Sequence, residues 1–116
     1  MELIILPIEV SDSEKLRAIY CTPENEPITI KIDHAKDVSN FAAIKRMYQE
    51  LGVEDLDQSR IFKLGKIDKD ICFAVNISGL KPESELTRVP FYKIMQGDYS
   101  NSKLLSASFL TISYFA

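Results

Sequence analysis

The stretch that decides the fold is residues 37–53, DVSNFAAIKRMYQELGV. One apolar stripe runs along it at the i, i+3, i+4, i+7 spacing of a helix face and consists of Phe41, Ile44, Met47, Tyr48 and Leu51. Ser39 or Asn40 is available as the N-cap, and Gly52 is placed to end the helix. The opposite face carries Lys45, Arg46, Gln49 and Glu50. The pattern predicts an amphipathic helix, whose polar face is the main place where the sequence offers chemistry.

Strand signals lie on both sides of this helix. Segments rich in β-branched and apolar side chains predict strands at residues 3–10, 15–21, 27–32, 60–67 and 70–78. The TPENE turn joins the second and third of these strands, and the last two are predicted to form a hairpin. Residues 89–95 predict a short strand or a turn of helix, and residues 103–116 a final element that begins as a helix.

Length and composition favour one soluble globular domain, residues 1–116, with a single hydrophobic core. The chain has 14 Lys and Arg residues against 17 Asp and Glu, which gives a formal net charge of −3. This balance provides no overall electrostatic footprint for a nucleic acid or an anionic membrane. A nucleic-acid partner is therefore not indicated.

The N-terminal stretch and the cysteines bear on localisation. MELIILPIEV lacks the basic start of a signal peptide and predicts a strand instead. No stretch approaches the roughly 20 apolar residues of a membrane span, so no membrane partner is expected. Cys21 and Cys72 lie in strand-like surroundings without metal-ligand spacing and are interpreted as reduced core residues. We therefore expect an intracellular protein, either soluble or part of an assembly.

The order of these elements, together with the helix, resembles a Nudix domain with a degenerate Nudix box. The Nudix box reads Gly, five residues, Glu, seven residues, Arg-Glu, an aliphatic residue, any residue, Glu-Glu, any residue, Gly and an aliphatic residue. Its defined positions are occupied here by Lys31, Asp37, Lys45, Arg46, Met47, Gln49, Glu50, Gly52 and Val53. The resemblance implies an α+β fold, the Nudix-like α/β/α sandwich with a mixed β-sheet. The scaffold positions match the box, whereas most of the chemical positions do not.

The departures concern the metal site that the resemblance implies. Nudix helices hold Mg²⁺ through glutamates, and this cation needs several anionic oxygens close together. The three helix carboxylate positions hold Arg46, Gln49 and Glu50, whose formal charges cancel. Arg46 and Glu50 also have the i, i+4 spacing of an ion pair. We therefore expect no catalytic residue, no metal and no cofactor, and a structural or protein-interaction subunit of a larger assembly.

Two other interpretations remain open. One is a divergent Mg-dependent Nudix hydrolase that cleaves a diphosphate linked to another moiety. It would use Asp37 and Glu50 as metal ligands and catalytic carboxylates, with Glu83 or Glu85 of a loop as general base. The other is an unrelated small α+β adaptor whose helix matches the box by chance.

Other chemistry-bearing residues have no supporting pattern. His34 stands in a polar loop without a Ser or Cys nucleophile motif and is expected to be a surface residue. The glycines form no phosphate-binding loop. A set of C-terminal aromatic residues is predicted to be core rather than a base-stacking platform: Phe91, Tyr92, Tyr99, Phe109, Tyr114 and Phe115.

The C-terminal segment LLSASFLTISYF is apolar on nearly every face when built as a helix. Such a helix is either buried all round or presents an apolar surface to another chain, and full burial is difficult in a domain of this size. A stripe at helical spacing is the predicted interface: Leu105, Phe109, Ile112 and Phe115. The expected partner is another protein, or further copies of the chain in a homo-oligomer.

Overall fold

A six-stranded mixed sheet forms the centre of the fold. The structure is a computed structural model and describes residues 2–13, 15–33, 35, 37–50, 53, 56–79, 86–96 and 102–115. The strands are β1 (Glu2–Val10), β2 (Leu16–Cys21), β3 (Ile28–Lys31), β4 (Ile61–Ile67), β5 (Asp70–Asn76) and β6 (Thr87–Pro90). The helices among the described residues are α1 (Asn40–Glu50), α2 (Phe91–Met95) and α3 (Ser102–Phe115), with a 3₁₀ turn at Gln58–Arg60. The predicted α+β class is confirmed.

Strand β1 is the central strand. It runs parallel to β5 on one edge, and the main sheet order is β4-β5-β1-β2-β6. On its other edge it pairs with two antiparallel strands, β3 beside Glu2–Ile5 and β2 beside Ile8–Val10. Its nine residues make this possible, since β2 and β3 are six and four residues long.

The TPENE segment joins β2 and β3, as predicted, but the two strands do not form a hairpin. These two strands do not pair with each other, because both lie along β1. The intervening segment closes on itself through the hydrogen bond from Thr22 N to Glu26 O at 2.9 Å. Asn25 supplies the required left-handed residue, with φ at 61°. The segment is a loop that leaves the edge of β1 and returns to it.

Each face of the sheet carries its own core. The side chains of Leu3 and Ile5 lie in one cluster with the buried face of α1, and Ile4 and Leu6 lie in the other with residues of α3. All four residues are fully buried. This explains why LIIL is a continuous apolar run, since a strand covered on both faces has no solvent side. One helix layer therefore covers each face of the sheet.

The remaining elements follow the predictions with shifted boundaries. The β4–β5 hairpin is confirmed, and a register irregularity lies between Lys63 and Gly65, where the glycine adopts φ 147°. Residues 89–95 contain both predicted alternatives, the end of β6 followed by α2. Helix α3 is helical over its whole described length. Cys21 and Cys72 are buried and free, as predicted.

No helix in the described part of the chain has the length and apolar character needed to cross a membrane.

Candidate functional site

Asp37 and Arg46 are two of the residues on which the expected Nudix resemblance depends, and they lie before α1 and within it, respectively. Ser39 caps this helix, because its hydroxyl oxygen accepts a hydrogen bond from Ala42 N at 3.1 Å. Asp37 stands just before the cap and is almost fully buried, with 1% of its side chain exposed. Arg46 donates from Nε to Asp37 Oδ1 at 3.0 Å and from Nη2 to Oδ2 at 2.7 Å. The two side chains form a bidentate ion pair between the loop and the helix.

Backbone groups complete this arrangement. The amide of Asp33 donates to Asp37 Oδ2 at 2.8 Å, and Arg46 Nη2 reaches Lys31 O at 3.5 Å. The ion pair therefore ties the end of β3, the following loop and α1 together. The hydrogen bonds to Asp37 raise the pKa of Arg46, and attraction from Asp37, Glu50 and Asp33 adds to this effect.

The predicted pairing of Arg46 with Glu50 is not the one that forms, because the guanidinium bonds to Asp37 instead. A buried carboxylate that accepts two parallel hydrogen bonds holds the guanidinium better than an exposed one can. Glu50 is exposed at the end of α1. Among the described residues, no group of three or more His, Cys, Asp or Glu side chains is arranged to hold a metal ion. Glu83, Glu85, His34 and Gly52 lie outside the described residues.

A second ionic cluster, which the sequence did not indicate, joins three strands. Arg88 of β6 donates from Nη2 to Glu9 Oε2 of β1 at 2.8 Å, and the Tyr20 hydroxyl of β2 donates to Glu9 Oε1 at 3.2 Å. The hydrogen bond from Arg88 lowers the pKa of Glu9, while burial raises the pKa of Tyr20. Glu9 and Arg88 are 79 residues apart, so no local pattern could have paired them. Each bond is cross-strand, which makes the cluster a support for the β1-β2-β6 half of the sheet.

Helix α3 buries one leucine and three small side chains. Its buried face consists of Leu104, Ala107, Ser108 and Thr111. The two hydroxyls are bonded within the helix, from Ser108 Oγ to Leu104 O at 2.6 Å and from Thr111 Oγ1 to Ala107 O at 2.8 Å. These bonds offset the cost of removing the two hydroxyl groups from water, so polar residues can occupy buried positions.

Large aromatic side chains consequently lie on the solvent side. Phe109 and Tyr114 of α3 are 55% and 52% exposed, and Tyr92 of α2 is 58% exposed. The prediction of core positions for these three is wrong, because Phe109 and Tyr114 lie on the solvent side of α3 and Tyr92 is exposed on α2. Phe91 and Phe115 are half-buried, and Tyr99 lies outside the described residues.

An apolar groove of about 360 Å³ is lined by Lys15, Leu16, Phe91, Ile112 and Phe115. The exposed Phe109 precedes Ile112 by about one turn of α3. We call the groove together with Phe109 the α3 surface. Three of the four predicted interface residues thus belong to it, whereas Leu105 packs against the core under α3. The ring of Phe115 also contacts Phe62 of β4, with ring centroids 5.3 Å apart.

The sequence did not indicate that Leu16 and Phe91 line this groove. They come from the start of β2 and the start of α2, and only the folded sheet brings them beside α3.

Comparison with known proteins gives no match, since no protein-family model, no curated sequence and no solved structure is significantly similar to the chain.

Proposed function

We propose that this chain is a Nudix-like domain with a degenerate metal site, and that it serves as a structural or protein-interaction subunit of an intracellular assembly. The observation that carries the proposal is the α3 surface. On a helix whose other face is fully buried, the exposed Phe109 lies one turn before Ile112, which lines an apolar groove.

The energetics of Phe109 support an interaction role. Burying a phenylalanine side chain fully stabilises a protein by roughly 1.5–3 kcal/mol, and about half of this gain is unused while Phe109 is 55% exposed. Aromatic anchors next to apolar pockets are the usual centres of protein interfaces. Binding of a partner that covers Phe109 and fills the groove would bury the rest of the ring and gain this free energy. In the isolated domain the ring stays partly exposed.

The Arg46–Asp37 ion pair supports the loss of metal chemistry. In the Nudix interpretation these residues occupy positions where the family places carboxylates around a cation. Here the positive guanidinium lies against the buried Asp37 carboxylate, which accepts hydrogen bonds from two nitrogens of Arg46 and one backbone amide. The mixed sheet with a helix layer on each face is also the arrangement that the resemblance implies.

The test compares one exposed and one buried position of α3. Phe109→Ser should leave the free energy of unfolding of the isolated domain within about 0.5 kcal/mol of the parent, because the ring is not part of the core. Leu104→Ala, the matched change on the opposite face, should cost roughly 2–5 kcal/mol. Both are measured by urea unfolding followed by circular dichroism at about 1 µM protein, so that self-association does not add to apparent stability.

A loss for Phe109→Ser as large as that for Leu104→Ala would show that the ring serves the fold, and the interaction proposal would fail. Phe115→Ser belongs to a different class, because Phe115 packs against the core and against Phe62. That variant is expected to lower stability and is unsuitable as a pure interface change.

A further inference from the structure

We propose that the outer edge of β4 binds an extended segment of a partner protein in which acidic and apolar residues alternate. The bound segment adds a strand to the sheet. This edge is separate from the α3 surface. The inference rests on the proposed function, since a second contact surface belongs to an interaction subunit, but it does not depend on Phe109.

The first support is the free edge of β4 itself. This strand ends the sheet order and, in the described part of the chain, pairs with β5 alone. Its seven residues contain no proline, whereas β6 at the opposite end has four residues and ends at Pro90. Among the described residues, no hydrogen bond reaches the groups of β4 that point away from β5. Alternate N–H and C=O groups of an edge strand point outward, and an extended main chain is the partner that pairs with them.

The second support is a pair of lysines on one face of this edge. Lys63 lies opposite Phe73 of β5. Lys66 lies opposite Ile71, because the register irregularity after Lys63 shifts the alternation of β4 by one residue. Both β5 residues belong to the cluster on the α1 side, so both lysines stand on that side of the sheet. Both lysines are exposed, and neither forms an ion pair with another described residue.

The spacing of the two lysines matches an extended ligand. Their opposite residues are two positions apart on β5, which places the lysines about 7 Å apart along the strand. Alternate side chains of an added strand have the same spacing, so two acidic residues can each face one lysine. A second copy of β4 would instead bring its own lysines, and lysines on an edge are a common means of preventing such pairing. The charge therefore selects an acidic strand and disfavours another copy.

The third support is the opposite face of the same edge, which is apolar. Phe62, Leu64 and Ile67 are half-buried and pack against the cluster on the α3 side. The ring of Tyr114 is 52% exposed, and its centroid lies 5.5 Å from that of Phe62. An added strand places every second side chain beside these residues, and apolar side chains there gain free energy from burial. The two faces together define a partner that alternates acidic and apolar residues.

Fluorescence anisotropy with a labelled synthetic peptide tests this edge. The probe has seven residues, the length of β4, and alternates valine with glutamate. We expect the full chain to bind it with a dissociation constant of about 10–100 µM. A peptide with lysine in place of glutamate should bind at least about tenfold more weakly. A peptide with methylated amide nitrogens should not bind, because it cannot donate hydrogen bonds to β4.

Charge reversal at the edge tests the role of the lysines. Lys63→Glu with Lys66→Glu should raise the dissociation constant of the acidic peptide at least about tenfold, since two exposed attractions become repulsions. The same variant should bind the lysine peptide more tightly than the parent does. Lys15→Glu with Lys93→Glu is the matched control, because it changes the net charge equally at exposed positions before β2 and on α2. It should leave the dissociation constant within about twofold of the parent value.

Amide chemical shifts of the isotope-labelled parent chain locate the bound peptide. The largest changes are expected in Ile61–Ile67 and at Tyr114. The proposal is overturned by absence of binding at about 1 mM peptide, by equal binding of the methylated peptide, or by shift changes confined to another surface. The proposed function fails on a different result, the loss of stability in Phe109→Ser, so the two failures are distinguishable.

Discussion

At the level of single residues, the buried carboxylate of Asp37 depends on Arg46 for its charge balance. A buried carboxylate without a partner is costly, and here two guanidinium nitrogens and one backbone amide donate to it. The sequence showed both residues but not their contact, since they are nine positions apart across a loop and part of a helix. The i, i+4 rule pointed to Glu50 because it takes account only of neighbours on one helix face.

Asp37→Ala should therefore lower the free energy of unfolding by roughly 1.5–3 kcal/mol, because it removes hydrogen bonds to a charged group. Glu50→Ala removes a carboxylate from the same region but an exposed one, and should change stability by no more than about 0.5 kcal/mol. Urea unfolding of both variants at pH 7 measures the difference. Equal, small effects would show that the ion pair contributes nothing to the fold.

At the level of elements, α1 and α3 differ in how much the sequence reveals. The stripe of α1 has the period of a helix that packs on one side, and Ala43, Ile44, Met47 and Tyr48 are indeed buried. Apolar residues occur all round α3, so periodicity could not tell which face meets the sheet. In the structure the buried face consists of Leu104, Ala107, Ser108 and Thr111, and the hydroxyls of Ser108 and Thr111 are satisfied within the helix.

The polar face of α1 offers a direct test of the Nudix interpretation. The double variant Arg46→Glu with Gln49→Glu rebuilds the carboxylate positions of the box and removes the partner of Asp37. It should be less stable than the parent without metal and regain stability with Mn²⁺, by about 2.7 kcal/mol at a hundredfold excess over the dissociation constant. The melting temperature is measured against Mn²⁺ concentration.

Adding Asp37→Asn to this double variant is the control, since it removes one ligand and should weaken the response to Mn²⁺. A double variant whose melting temperature does not depend on Mn²⁺ would count against the Nudix-like assignment.

At the level of the whole molecule, the mixed sheet with buried β1 was largely predictable, but its connectivity was not. A continuous run such as LIIL indicates a strand covered on both faces, and the hairpin of β4 and β5 followed from a short turn. Two strands sharing one edge of β1 could not be inferred, because local residues around TPENE fit a hairpin equally well. The groove of the α3 surface also depends on this long-range arrangement.

The overall charge and the α1 region together predict the outcome of an activity assay. A diphosphate substrate is anionic, and a chain with a net charge of −3 provides no general attraction for it. A bound cation would have to neutralise the negative charge of the substrate. Arg46, however, already forms an ion pair with Asp37, one of the two carboxylates that would hold the cation. We therefore expect no hydrolysis of nucleoside diphosphate derivatives in Mg²⁺ or Mn²⁺, measured as phosphate release after phosphatase treatment. Release above the blank that Glu50→Gln abolishes would instead favour the divergent hydrolase, with Asp37 and Glu50 holding the metal.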